Sequence, residues 1–463
     1  MSTSAACAPI AKAAVDPLLR VKQGLFRSFC GLLDREQIPY VILAGHEGYP
    51  DHIGSDIDFM VSPQDFQRLP ALLGRAGAID GATLVQVLQH EVSACYYVLA
   101  AQVGPNLVYL HPDAASHYRI RSQVWLGPQD ILSRKRRSTQ GFWIPSADAE
   151  FEYYLIKRIA GKARLEAVHL DRLRRCLEED PAGCRSVLAR RLPGASGPAV
   201  QQALLRGDAA WLDAEMGRLR AEMIRLNLAR AERPDEPRSV MREWRRRWHR
   251  LTRPTGLVVA VLGPDGSGKS TVLDHLEREL AQGFRRVARF HLRPRFGRQD
   301  RSPVAVTDPH AQAPRGTGAN LAKCLYFVAD YWQGWLRAVL PTKLRSGLVL
   351  FDRYFHDMLV DHRRYRLPQA FAPARWASWL IPQPDLWLIL QADAETLVAR
   401  KGEITLQSAR ELLGRYGQLA HSLDRAVIVS SQGTVDETCA RAVAAVTAHM
   451  AQRAQAQLRA HGR

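Results

Sequence analysis

The sequence predicts two architectures in series: a parallel α/β sheet in the C-terminal half, preceded by an α+β segment that runs into a helical one. Three observations carry this. Purely apolar runs at Gly256–Leu262, Leu348–Phe351 and Leu386–Leu390, with a shorter one at Ala426–Val429, alternate with helical stretches, the pattern of strands buried on both faces. Toward the N-terminus the strand-like runs are followed, from Asp148 to about Leu228, by apolar residues at helical spacing. Between the two halves, Arg233-Pro-Asp-Glu-Pro237 interrupts both helix and sheet.

Composition bounds the function classes. Over 463 residues, 64 Lys and Arg face 46 Asp and Glu for a formal charge of +18, and 55 of the 64 are Arg. That length exceeds one compact core, so two or three domains are expected. With 46% hydrophobic and 24% charged residues the chain is not wholly disordered. No apolar run approaches the ~20 residues of a membrane-spanning helix. The opening Met-Ser-Thr-Ser-Ala-Ala-Cys lacks the basic start and apolar stretch of a signal peptide. Seven scattered cysteines without a CxxC pair read as reduced thiols in a cytoplasmic protein. The positive field favours anionic partners such as nucleotides without naming one.

Taken in order, Asp16 to Arg35 sets Leu18, Leu19, Val21, Leu25, Phe26, Phe29 and Leu32 at helical spacing. Strand-like runs follow at Tyr40–Ala44, Ile57–Val61, Cys95–Leu99 and Leu107–Leu110. The expected domains are residues 1–147 (α+β), 148–232 (a helical subdomain), 233–254 (a basic linker or helix) and 255–463 (α/β). Within the linker, Arg238 to Arg253 holds seven Arg against Glu243, with Met241, Trp244, Trp248 and Leu251 on one helical face. Two readings stay open there. One is an interdomain helix that buries its Trp stripe; the other is a basic amphipathic helix resting on an anionic membrane, Trp at the headgroup level.

Two motifs carry chemistry. Gly263-Pro-Asp-Gly-Ser-Gly-Lys-Ser270 satisfies the phosphate-loop pattern in full, between an apolar strand and an amphipathic helix. Its glycines let backbone N–H groups turn in around phosphate oxygens, and the helix N-terminus adds partial positive charge. Gly263, Pro264, Asp265, Gly266, Ser267, Gly268, Lys269 and Ser270 are thus the expected phosphate cradle. Lys269 would reach the β- and γ-phosphates, and the Ser270 hydroxyl would ligate Mg²⁺. Farther on, Leu348-Val-Leu-Phe-Asp-Arg-Tyr354 ends an apolar strand in Asp352-Arg353, where such a protein holds its metal or orients an acceptor oxygen. The second motif, Gly54-Ser-Asp-Ile-Asp-Phe-Met-Val61, puts Asp56 and Asp58 on one face of an extended segment, close enough to share a divalent metal.

From Gly256 to about Ala448 the chain resembles the thymidylate kinase branch of the nucleoside monophosphate kinases. The matching pieces are the phosphate loop, Phe351-Asp-Arg-Tyr, Pro384-Asp-Leu, Ala399-Arg-Lys401 at a lid, and Val427-Ile-Val-Ser-Ser431 before the adenine-contacting turn. The resemblance implies ATP on Gly266, Gly268, Lys269, Ser270 and Thr271, with Asp265 and Asp352 near acceptor and metal. It makes Arg353 a phosphate clamp and lets Arg400, with Lys401, close over the transferred group. The acceptor half departs from the family. Leu292-Arg-Pro-Arg-Phe-Gly297 lacks the family's carboxylate, Asp357 and Val360-Asp-His362 replace its Ser and Ala-Tyr-Gln, and Gln391 stands for an Asp. An insert at Arg298–Ala319 is rich in Pro, Gly and Thr. Tyr326, Phe327, Tyr331, Trp332 and Trp335 fall on an expected helix whose aromatics favour core packing over base stacking, and Asp330-Tyr331 is the first candidate for acceptor contacts.

Around residues 17–130 the Gly-Ser-Asp-x-Asp run is similar to the nucleotidyltransferase superfamily, whose third carboxylate would fall on Asn106–Leu110, where Tyr109 stands; Asp113 reads as lying beyond the strand end. The expectation is a phosphotransferase using ATP and Mg²⁺, with Lys269, Asp352, Arg353 and Arg400 catalytic and with a nucleotide, sugar or nucleotide-sugar acceptor. Thymidine monophosphate is expected to be poor. The alternatives are a bifunctional nucleic-acid end-processing kinase and nucleotidyltransferase, or a nucleotide-binding scaffold without transfer. A homodimer, a peripheral anionic membrane contact through 238–253 and, more weakly, nucleic acid are the partner expectations.

Overall fold

The computed structural model describes residues 16–75, 77–120, 123–230, 244, 248, 251–294, 316–362, 364–368, 371–401 and 405–461. The proline-rich linker, most of Arg238–Arg253 and most of the Arg298–Ala319 insert lie outside them. In chain order the strands are β1 (Tyr40–Ala44), β2 (Ile57–Val61), β3 (Thr83–Glu91), β4 (Ala94–Val103), β5 (Asn106–Leu110), β6 (Pro112–Ala115), β7 (Tyr118–Ile120), β8 (Gln123–Leu126), β9 (Lys135–Arg137), β10 (Trp143–Pro145), β11 (Leu257–Leu262), β12 (Val287–His291), β13 (Leu348–Asp352), β14 (Leu386–Gln391) and β15 (Ala426–Ser430). They fall into two compact units. One is Met1–Arg68, Gly77–Ala82 and Leu110–Ala231; the other is Leu69–Ala76, Thr83–Tyr109 and Glu232–Arg463.

In the first unit the helix Pro17–Arg35 starts at Asp16, whose carboxylate accepts from Leu18 N–H at 3.0 Å, and it buries Leu25, Phe26, Phe29, Leu32 and Leu33. β1 pairs antiparallel with β2, and β2 pairs parallel with β6. Val41, Leu43 and Met60 from these strands join Phe151, Tyr153, Leu170, Leu188, Leu204 and Leu219 in one core with the helices that follow Ala147. Beneath them Glu152, 1% exposed, accepts from Arg134, Arg190 and Arg191, so its buried charge is paired three ways.

The second unit is built on a fully parallel sheet in the order β12-β13-β11-β14-β15. All six residues of β11 are buried, which is why that stretch has no polar alternation. Val258, Ala260 and Leu262 pack on one face with Phe327, Tyr331, Trp387 and Tyr416; Leu257, Val259 and Val261 pack on the other with Leu273, Leu276 and Val446. Val85, Val98, Ala100, Leu107 and Tyr109 of β3–β5 belong to the same buried cluster as this second face. Polar bonds fix them there. Gln86 Nε2 donates to Thr255 O (3.0 Å), Leu107 N–H to Glu279 Oε2 (2.8 Å) and Gln102 Nε2 to Ala440 O (2.8 Å).

Several expectations change. Division by compactness differs from the linear one, since Thr83–Tyr109 packs with the C-terminal half. β12 was not marked by an apolar run; it is an edge strand and none of its residues is fully buried. Trp244, Trp248 and Leu251 are 68%, 68% and 58% exposed, so the stripe is not buried as the first reading of that segment required. Among the described residues no helix is long and apolar enough to cross a membrane.

Candidate functional site

The phosphate loop leaves β11 through Gly263, whose φ of +147° favours glycine and whose added Cβ would lie 2.8 Å from Leu390 O. The chain then enters the helix Lys269–Leu280. Lys269 is buried at 7% exposure, and its Nζ donates to Gly263 O and Pro264 O, both at 2.8 Å. Burial, and after it the positive charge of Arg353, pull its pKa down to about 8.

Asp265 links the loop to the end of β13. Its carboxylate lies 3.6 Å from Lys269 Nζ and accepts from Arg353 Nη2 and Arg364 Nη1. Burial alone would raise its pKa, but Arg353, then Lys269 and Arg364, hold it well below the usual carboxylate range. Arg353 is itself buried, with φ +66°, and its Nη1 donates to Asp357 Oδ2 at 2.6 Å. Asp357 is fully buried and also accepts from Tyr365 (2.9 Å) and Tyr416 (2.5 Å). Register sets His291 of β12 beside Asp352 of β13, and His291 Nδ1 lies 3.2 Å from Asp352 Oδ2. Burial opposes ionisation of Asp352, yet His291 leads the groups that lower its pKa. Its other oxygen, Oδ1, is buried with no hydrogen-bond partner among the described residues. Arg400, on the helix Ala394–Lys401, donates to Gly266 O at 3.0 Å, while Ser270 and Thr271 are exposed in the first turn after the loop.

The expected residues Asp265, Lys269, Asp352, Arg353 and Arg400 therefore meet around one loop. Sequence reasoning gave no role to His291, Arg364, Asp357, Tyr365 and Tyr416. Only Asp357 carried a readable signal, an opposite charge four residues after Arg353. The Asp330-Tyr331 pair is corrected as a first acceptor contact. The Tyr331 ring is fully buried and its hydroxyl donates to Leu292 O, while Asp330 accepts from Arg293 Nη1 at 3.0 Å.

In the first unit Asp58, 26% exposed, is bonded to Lys157 Nζ at 2.8 Å and to the Tyr153 hydroxyl at 3.2 Å. Asp56 is exposed just ahead of β2. Asp113 does not lie beyond a strand end. The chain restarts at Pro112 as β6, and parallel pairing sets Asp113 opposite Asp58. Tyr109, where the third carboxylate was sought, is instead buried in the core of the second unit. Among the described residues, no three or more His, Cys, Asp or Glu are grouped to hold a metal ion.

No protein-family model matches the chain. Comparison with curated proteins finds thymidylate kinases. A probable thymidylate kinase of Pyrobaculum aerophilum is 28% identical over 145 residues, 31% of this chain and 68% of the relative. The thymidylate kinase of an Exiguobacterium species is 30% identical over 152 residues, 32% of this chain and 68% of its own length. The chain belongs to the thymidylate kinase family. Membership in that family rests on about a third of the sequence. A Xanthomonas campestris thymidylate kinase adds 27% identity over 147 residues, 61% of its length. Solved thymidylate kinase structures from Candida albicans and Ehrlichia chaffeensis align over 40% and 39% of this chain and 88% and 90% of theirs. Their identities are 19% and 14%, with TM-scores of 0.27 and 0.29.

Proposed function

We propose that the second unit transfers the γ-phosphoryl group of Mg-ATP to an acceptor other than thymidylate. The observation that carries this reading is the charge chain Lys269–Asp265–Arg353–Asp357, which ties a complete phosphate loop to Arg353, the residue that follows Asp352 at the end of β13. Phosphoryl transfer asks for positioning and for positive charge where negative charge develops. Lys269 supplies a buried cation at the loop, Arg353 a second one held rigid by two carboxylates, and Arg400 a third on a separate helix. Asp352 Oδ1 and the Ser270 hydroxyl are hard oxygen donors, and a buried carboxylate oxygen without a protein partner suits Mg²⁺. When bound, that ion would neutralise charge on the β- and γ-phosphates. Asp352 would orient the acceptor oxygen. The acceptor is proposed to be a nucleotide, sugar or nucleotide-sugar different from thymidine monophosphate, on the departures at Leu292–Gly297 and Gln391.

For the first unit, the Gly54–Val61 motif and the Asp58–Asp113 register support a nucleotidyltransferase-like scaffold, with Lys157 on the carboxylate a metal would use. We read it as a unit without transfer chemistry of its own. The deciding experiment is acceptor-stimulated ADP release across nucleoside monophosphates, sugars and sugar phosphates, with wild type beside Lys269→Ala. One acceptor should stimulate wild type strongly and the variant hardly at all. Equal turnover by both proteins would remove the phosphotransferase reading, and thymidine monophosphate as best acceptor would remove the altered-acceptor reading.

A further inference from the structure

Beside Asp352 the chain leaves β12 in a sharp turn. Leu292 has φ +58°, its N–H donates to Asp352 O at 2.9 Å, and its carbonyl accepts from the Tyr331 hydroxyl. Two residues on, the backbone presses so closely on the helix Thr317–Gly334 that a Cβ at Gly334 would lie 1.7 Å from Pro294 O; only glycine fits. The turn lays Arg293 over that helix. Its guanidinium carbon is 4.6 Å from the centre of the Phe327 ring and 5.6 Å from that of Tyr326. The ion pair with Asp330 holds it there, and the two side chains are only 14% and 17% exposed. Lys323 Nζ stands 6.0 Å from the same Phe327 ring, and the Tyr331 ring is covered by Tyr354 and Phe355.

In open α/β sheets, ligands bind outside the carboxyl ends of the strands. Here the phosphate loop follows β11, Asp352 closes β13, and Arg293 follows β12. Arg293 thus lies two residues past the position that register pairs with Asp352, at the same end of the sheet. We propose that Arg293 decides the acceptor class: lying on Phe327, it denies a flat base that ring and offers N–H donors to oxygen atoms instead, so the acceptor is an aliphatic, oxygen-rich molecule of the sugar or sugar phosphate kind. A guanidinium has five N–H donors in a planar fork, and the bond to Asp330 leaves others for phosphate or hydroxyl oxygens. The proposal rests on the phosphotransferase reading above.

The test reads binding, so it does not depend on turnover. Full-length wild type, Arg293→Ala and Arg293→Gln are titrated by calorimetry with thymidine monophosphate, and with aliphatic phosphate monoesters from glycerol phosphate to the hexose phosphates. A non-hydrolysable ATP analogue is present throughout. Wild type should bind at least one aliphatic ester more tightly than thymidine monophosphate. Each substitution should tighten thymidine monophosphate at least tenfold and weaken the aliphatic ester at least tenfold. Unchanged affinity for thymidine monophosphate in both variants, or a wild-type preference for it, overturns the proposal. Thermal unfolding reports on the fold of each variant, and if Arg293→Ala is unfolded, Arg293→Gln decides alone. Undiminished ADP release by Lys269→Ala would strike the phosphotransferase reading separately, leaving these affinities to stand or fall by themselves.

Discussion

The phosphate loop and the Asp56–Asp58 segment both place charged side chains at a strand end beside a glycine-bearing turn, and they differ in how far those charges are linked. Around the loop, cations and carboxylates alternate from Lys269 through Asp265 and Arg353 to Asp357, and Asp352 Oδ1 is buried without a partner among the described residues. At Asp58 one oxygen, Oδ2, takes both Lys157 Nζ and the Tyr153 hydroxyl. The difference lies in the reach of the charges: at the loop two cations and two carboxylates are linked in series, and at Asp58 a single cation meets a single carboxylate.

Lys269→Ala should break the first half of that contrast most severely. We expect acceptor-stimulated ADP release to fall roughly 10²–10³-fold or more, the scale on which a single preorganised charge acts. Lys269 also makes two buried hydrogen bonds, so urea unfolding should show a further loss on the order of 1 kcal/mol. Retained turnover would mean that the alternating charges are scaffolding. Asp357→Ala sharpens the same point through stability. It strips a buried partner from Arg353, and urea titration should record a loss of about 3 kcal/mol; a loss below about 1 kcal/mol would show that Asp265 alone carries the Arg353 charge.

A gentler probe is pH. With its pKa lowered to about 8, Lys269 is partly neutral in free protein near that pH, and polyphosphate favours its charged form. Binding of an ATP analogue at pH 8 should therefore take up about half a proton, fading toward pH 6.5, where the lysine is already charged. Calorimetry in buffers of different ionisation enthalpy reads this directly, and proton release would contradict the sign. The smallest effect is expected from Asp56→Asn with Asp58→Asn. ADP release should stay within about twofold of wild type, because the phosphotransferase chemistry uses neither carboxylate. Pyrophosphate release from any nucleoside triphosphate, abolished in this double variant, would show that Lys157 does not silence the first unit.

Legibility in the sequence followed burial. β11, β13 and β14 announced themselves because a strand covered on both faces has no reason to alternate, and the phosphate loop because its backbone demands glycine at fixed places. β12 stayed hidden because Val287–His291 is a half-exposed edge, and with it went the His291–Asp352 register. Asp113 was misplaced because Pro112 looks like a stop, whereas here it opens a strand at whose second residue the carboxylate meets Asp58. The roles of Arg293 and Asp330 depend on a backward turn at Leu292, and a left-handed leucine leaves no mark in a pattern of residue types.

For evolution by recombination, the β3–β5 segment has an awkward consequence. A gene fragment that began at Gly256 would encode every residue of the phosphate loop and all five parallel strands. It would also lack Val85, Val98, Leu107 and Tyr109, which share one buried cluster with Leu276, Leu280 and Val446 of the helices behind that sheet. Bare apolar surface of that kind drives association with whatever is near. The heritable module is thus discontinuous, a kinase-family sheet and helices whose outer packing is written more than a hundred residues upstream, and a clean exchange at Gly256 would part them.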